Sequence, residues 1–151
     1  MRFPAWLAVL AIGLGALTGA RAATPPPDNA QATIQALQQA HASVVGVEVE
    51  ATDGARSADT LGRRREGTGV VIDRDGLVLT IGYLTLEAQN IRVVTQDGRA
   101  VPARTVAYDL ATGFGLLQPL LPLKNVPAAP IGRLQDVPTG AALMAGTGAH
   151  T

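Results

Sequence analysis

The chain has 151 residues, 12 Lys+Arg against 12 Asp+Glu, and no Cys. The length allows one domain, or one domain plus a processed leader. Balanced charge gives no electrostatic footprint for nucleic acid or anionic lipid as a bulk partner. Without Cys there is no disulfide, no thiolate metal site and no Cys nucleophile. Two His (His41, His150) and two Ser (Ser43, Ser57) are the short list from which any hydrolase site must be built.

Residues 1–22 read as a secretory signal. Arg2 is a short positive start, Ala5 to Leu17 is an apolar run, and Ala20-Arg21-Ala22 offers small residues where a signal peptidase reads. The run falls below the ~18–20 residues that span a bilayer. An uncleaved N-terminal anchor is the alternative, kept open by Arg21 beside the cut. Loss of Arg2 and Arg21 leaves ten basic against twelve acidic residues, and Tyr83, Tyr108 and Phe114 as the remaining aromatics. The core must then rest on aliphatic side chains.

Residues 23–28 form a linker, because Pro25-Pro26-Pro27 favours extended polyproline structure. The domain follows over residues 29–148. Asp28 or Asn29 can cap a helix running to about His41. Ile34, Leu37 and His41 make one apolar stripe on it. At a helix C-terminus, His41 is simplest as a boundary residue.

From Ser43 the period becomes two, with Val45, Val47 and Val49 on one face of a strand. Thr52 to Glu66 reads as a long exposed loop carrying Arg63-Arg64-Arg65. That run suits a phosphate or an acidic partner, and equally a solvated surface. Gly69 to Ile72 and Leu77 to Ile81 form a hairpin closed by Asp73-Arg74-Asp75-Gly76. Gly accepts the positive φ of such a turn. Ile91 to Thr95 and Ala100 to Ala107 form a second hairpin, closed by Gln96-Asp97-Gly98-Arg99. Phe114 to Leu117 and Ala141 to Ala145 are two further short strands. Many short strands with regular turns predict an all-β antiparallel barrel or sandwich preceded by one short helix.

The blocks Gly67-Thr68-Gly69-Val70-Val71-Ile72, Asp75-Gly76, Leu77-Val78-Leu79-Thr80 and Ile91-Arg92-Val93 occur in that order. They are followed by Asp97-Gly98-Arg99, Tyr108-Asp109-Leu110-Ala111-Thr112, Leu116-Leu117, Ile131-Gly132 and Gly140 to Ala145. This ordered series resembles the N-terminal barrel of trypsin-like serine proteases of the HtrA/DegP type. Ala42-Ser43-Val44-Val45 is similar to the approach to their first strand. The resemblance covers about Ile34 to Gly148 and implies a single trypsin-like antiparallel β-barrel of the bacterial envelope.

Members of that family carry the catalytic His in a Thr-Asn-Asn-His-Val-Val stretch. The matching stretch here is Thr80-Ile81-Gly82-Tyr83-Leu84-Thr85, with Tyr83 at the His position. Their catalytic Asp lies in Thr-Asp-Leu-Ala-Leu-Leu. The matching stretch here is Thr112-Gly113-Phe114-Gly115-Leu116-Leu117, with Gly113 at the Asp position. Their nucleophilic Ser lies in a Gly-Asn-Ser-Gly-Gly turn of a second barrel, and no such turn occurs in this sequence.

Serine attack needs an imidazole to take the proton and a carboxylate to orient it. A phenol, of reference pKa ≈ 10, is a poor base at neutral pH. The sequence therefore predicts no peptidase activity. It predicts a periplasmic or secreted pseudoprotease that binds a protein or peptide, with self-association as one form of that binding. The candidate contact residues are Arg63, Arg64, Arg65 and Tyr83.

A second reading is a fragment or truncated paralogue of a longer HtrA-like endopeptidase, which would expose an apolar face where the second barrel packs. A third is a hydrolase built on Ser43 or Ser57. Two isolated His give no zinc spacing. Asp73-Arg74-Asp75-Gly76 lacks the Glu that completes a calcium loop. The Gly pairs at 113/115 and 146/148 lack a strand feeding a helix. No metal, cofactor or nucleic acid is expected, and no membrane span after signal cleavage.

Overall fold

A computed structural model describes residues 28–141 and 143–147. Helix α1 spans Asp28–Ala42, β1 Val44–Ala51, α2 Ala58–Leu61, β2 Arg64–Val71 and β3 Val78–Ile81. A 3-10 turn, Gly82–Thr85, precedes β4 (Ala88–Val94), β5 (Ala100–Tyr108) and β6 (Phe114–Pro119), and a second 3-10 turn covers Leu134–Asp136. The strands close into an antiparallel barrel in the order β1-β2-β3-β6-β5-β4, with β4 returning to β1. The predicted helix, both hairpins and the all-β barrel are present.

Period-two alternation explains why the sheet closes. Val45, Val47 and Val49 point inward from β1 and are all buried. Their partners on β2 are Gly69, Gly67 and Arg65. Val71, Val78, Leu84, Ile91, Val93 and Leu117 complete the core. The interior is narrow, and the two β2 glycines make room in it. A Cβ on Gly69 would strike Val78, Val47 and Val45, and one on Gly67 would strike Leu84. Both hairpins turn through glycines in the left-handed region, Gly76 at φ 81° and Gly98 at φ 77°. Asp73 Oδ1 accepts from the Leu77 N–H at 2.8 Å and fixes the first turn.

Three expectations need correction. Thr52 to Glu66 is not one loop: it contains α2, and β2 begins at Arg64 because β1 pairs along it from Val44 to Glu50. The run at Arg63–Arg65 is therefore split, and Arg65 points into the barrel mouth, 4% exposed. Ala141 and residues 143–145 form no strand. All six strands of the barrel are paired on both sides, which leaves no edge for a seventh. The apolar stripe on α1 lies in water: Ile34 and Leu37 are exposed, as are residues 30–41 throughout. The signal segment, linker residues 23–27 and His150 lie outside the described residues. Among those described, no helix is long and apolar enough to cross a membrane.

Candidate functional site

Tyr83 and Gly113 are 30 positions apart in sequence, yet the fold sets them side by side. β3 pairs with β6 so that Ile81 faces Phe114 and Thr80 faces Gly115. One residue beyond, the Gly82 N–H donates to the Gly113 carbonyl at 2.7 Å. Gly113 itself donates to the Asp109 carbonyl at 2.8 Å and sits at φ 76°, closing the β5–β6 turn. The Tyr108 ring lies against Gly82, so closely that a Cβ there would overlap it. Tyr83 stands on the 3-10 turn with its side chain outward, while Leu84 turns inward into the core.

The turn under Tyr83 is held by Arg65. Its Nη1 donates to the carbonyls of Tyr83 (3.2 Å), Leu84 (3.4 Å) and Leu86 (2.7 Å). Nε donates to the Gly62 carbonyl at 3.0 Å, and Nη2 to Ser57 Oγ at 2.6 Å. The guanidinium fork can meet this many acceptors because its donors are fixed in one plane. Glu87 extends the network from a left-handed backbone (φ 50°), its Oε2 accepting from the Ser57 N–H at 2.8 Å. The 52–62 segment is thereby bolted to the turn that presents Tyr83.

The hydrogen bonds from Ser57, side chain first and then backbone, hold the Glu87 carboxyl below the usual carboxylate range. The native state thus favours the charged form. Its contribution to stability is present above the unfolded carboxylate pKa of ≈ 4.3 and is lost as pH falls through the lowered native value. Thermal unfolding followed by circular dichroism should therefore find Glu87→Gln less stable than wild type at pH 7. The gap should close in acid, and a constant gap from pH 7 to pH 3 would refute this assignment.

The remaining candidates separate. Arg63 pairs with Asp53 at 2.6 Å on the exposed surface. Arg64 faces outward into a groove of about 520 Å³ shared with Glu48, Glu50, Glu66 and Arg92. Arg92 pairs there with Glu48 at 2.8 Å. Arg65 also borders this groove, so three carboxylates stand beside three arginines, one of them paired with Glu48 and one already engaged by carbonyls, which does not make an anion site. Arg65 is buried and fully engaged. Of the four sequence-derived contact residues, Arg65 and Tyr83 are brought together, while Arg63 and Arg64 point elsewhere.

Neither serine meets an imidazole among the described residues. Ser43 is buried, its Oγ donating to the Gln39 carbonyl at 3.4 Å. Ser57 Oγ lies between Arg65 and Glu87. The described residues hold no group of three His, Asp or Glu able to bind a metal ion. The Arg65–Ser57–Glu87 network had one signal in the sequence: inward alternation at Gly69 and Gly67 extends back to Arg65. Glu87 had none.

A family model for the trypsin-like peptidase domain matches residues 67–150. The chain belongs to this family. It is of the HtrA type by its relatives. A protein described as "Probable periplasmic serine endoprotease DegP-like", from Halomonas elongata (strain ATCC 33173 / DSM 2581 / NBRC 15536 / NCIMB 2198 / 1H9), is 31% identical over 78 residues, 52% of this chain and 16% of that one. The solved structure of the HtrA-type protease AlgW with tripeptide superposes with a TM-score of 0.57 at 26% identity, over 70% of this chain and 31% of that one. The serine endoprotease from Yersinia pestis gives 0.51 at 28% identity, over 66% and 32%. The trypsin-like chain described here thus spans about a third of those structures and a sixth of the curated relative.

Proposed function

We propose that this chain is a non-catalytic trypsin-like barrel of the cell envelope that acts by binding a protein or peptide. One observation supports the reading above others. The positions matching the family's His and Asp are neighbours in space, as a triad requires, and they carry Tyr83 and Gly113. The pair therefore supplies neither an imidazole base nor an orienting carboxylate. The sequence of residues 1–22, which reads as a secretory signal, and a relative described as "Probable periplasmic" support the envelope location. Tyr83, 42% exposed on a turn clamped by Arg65, is the contact residue best presented to a partner. Rigid aromatic side chains at low ordering cost are what interface anchors need.

Incubation with casein, a fluorogenic peptide and a serine-directed covalent probe tests the reading. No turnover and no adduct are expected from the wild type. None is expected either from Tyr83→His combined with Gly113→Asp. An Asp at φ 76° is held in a strained backbone, and no serine among the described residues faces this pair. Labelling of Ser43 or Ser57 would overturn the proposal.

A second reading has its own observation. Among the described residues, the last hydrogen bond from the C-terminal segment to the barrel is from Ala129 N–H to the Val71 carbonyl at 2.8 Å. Beyond it Ile131, Leu134, Leu143 and Met144 are each at least 60% exposed. Such a segment suits a piece of a longer HtrA-like protein in which it begins further structure. Coding sequence for a second barrel, in frame after Thr151, would favour this reading.

A further inference from the structure

Every strand of the barrel has a neighbour on both sides, but β5 outruns one of its neighbours. β4 pairs with it only from Ala100 to Ala103, while β6 continues along it to Tyr108. Among the described residues, no strand pairs with Arg104 to Tyr108 on the β4 side. The start of β4 follows β1 instead. Asn90 and Ala88 pair with Glu50 and Ala51 across a register shift, and such a bulge bends a strand away from its neighbour.

The phase of the hydrogen bonds decides which main-chain groups are left over. The Leu120 N–H donates to the Pro102 carbonyl, and the Asp109 N–H to the Phe114 carbonyl. In an antiparallel ladder each residue turns its N–H and C=O to one side, and successive residues alternate. Counting forward from Pro102 turns Arg104 toward β6 and Thr105 away from it. Counting back from Asp109 turns Ala107 toward β6 and Tyr108 away from it, with the register shift at Thr105/Ala107 between the two counts. Thr105 and Tyr108 therefore present their N–H and carbonyl groups on the open flank of β5. All five residues from Arg104 to Tyr108 are exposed.

Donors and acceptors in strand phase match another extended main chain. A helix cannot supply the match, because its own N–H and C=O groups are already bonded to each other. Thr105 and Val106 are β-branched, as suits a paired flank. Charge narrows the occupant further. Arg104 is the one charged residue of the five, and no carboxylate pairs with it among the described residues. The Asp109 carboxylate, just past Tyr108, is engaged by Thr112 Oγ1 at 2.6 Å and by the Ala111 N–H at 3.1 Å. A bare cation and a bulge keep unselected strands off a flank. A strand that brings its own carboxylate turns that cation into a partner.

We propose that β5, from Arg104 to Tyr108, takes an extended peptide segment of a partner protein as an added strand, with an acidic side chain of that segment against Arg104. The inference rests on the binding role proposed above and gives it a place and a mode. Five residues of strand run ~17 Å, the length of a typical pairing.

Panning a random dodecapeptide library against the purified chain supplies the probe. Enriched peptides should carry Asp or Glu among β-branched residues. Hydrogen exchange followed by NMR should find the Thr105 and Tyr108 amides open in the free chain and at least about tenfold slower under saturating peptide. Thr105→Pro removes an outward N–H and no bond to β6, and should weaken peptide binding at least about tenfold in fluorescence anisotropy. Arg104→Glu should weaken it as much, with thermal unfolding as in wild type, so the test stands even where the proline variant fails to fold. Leu37→Glu on α1 should leave the affinity unchanged. A library without enriched peptides would overturn the proposal. So would peptides that leave both amides open, or that bind Arg104→Glu as they bind wild type. Slow exchange of both amides in the free chain would overturn it as well, since a segment of the chain itself or a second copy would then hold the flank. A serine-probe adduct would overturn the non-catalytic reading and leave the exchange result standing, and amides left open under peptide would do the reverse.

Discussion

Replacing Arg65 with Met should lower the unfolding free energy by about 3 kcal/mol, the low end of the cost of breaking a buried charged network. Met has a similar unbranched stem and fills the same part of the barrel mouth, so the loss falls on hydrogen bonding rather than on packing. The guanidinium serves four carbonyls and one hydroxyl, those of Gly62, Tyr83, Leu84, Leu86 and Ser57. Each buried acceptor left without a donor costs roughly 1–3 kcal/mol, reduced here where water can enter from the mouth. Urea unfolding should show a lower midpoint with an unchanged slope. Arg65→Lys should recover little, because an ammonium cannot span from the Gly62 carbonyl to those of the 3-10 turn. A loss under ~1 kcal/mol in the Met variant would mean that solvent already satisfies these carbonyls.

The second large effect is expected at Gly82. Ala there should cost about 2 kcal/mol, a typical overpacking penalty. The new methyl would overlap the Tyr108 ring and come within 3.0 Å of the Gly113 carbonyl oxygen. The carbonyl cannot retreat without loosening the 2.7 Å bond from Gly82 N–H that joins the two halves of the site. The ring can swing out, at the cost of its packing. Adding Tyr108→Ala to Gly82→Ala should therefore restore much of the loss, a non-additivity expected only of residues in contact. Gly113→Ala is the informative companion. It meets nothing within 4 Å, so its cost is the left-handed backbone alone, about 1 kcal/mol. Strictly additive effects at 82 and 108 would show that the ring does not rest on Gly82.

These positions show why parts of the site were legible from residues alone and parts were not. Tyr83 and Gly113 stood out because the stretches flanking them, from Leu77 to Thr80 and at Leu116-Leu117, match the family pattern. Arg65 did not stand out. A run of three arginines reads locally as solvated charge; the alternation from Gly69 and Gly67 back to Arg65 is the faint signal against that, and the pairing of β2 with β1 sets the third inward opposite Val49. Glu87 and Ser57 are 30 positions apart, and nothing in the composition of either segment announces their hydrogen bond.

The strand at Ala141–Ala145 failed for the converse reason. Its apolar residues satisfy the local pattern of a strand, but a strand also needs a partner, and the closed barrel has no edge to give. The stripe on α1 met the same limit. Ile34 and Leu37 recur at helical spacing, and spacing does not say whether a surface exists to bury them.

The amino-acid sequence by itself determined the helix, the two hairpins, the aliphatic core and the family, and it singled out Tyr83 and Gly113. All of these rest on local periodicity or on the order of short blocks. The tertiary structure alone decided that Tyr83 and Gly113 touch through Gly82, and that Arg65 leaves the surface to hold their turn. It also decided that Tyr83, Tyr108 and Phe114 stay outside the core. Those outcomes depend on strand register and barrel closure, which join residues far apart in the chain and are set by packing rather than by any local signal.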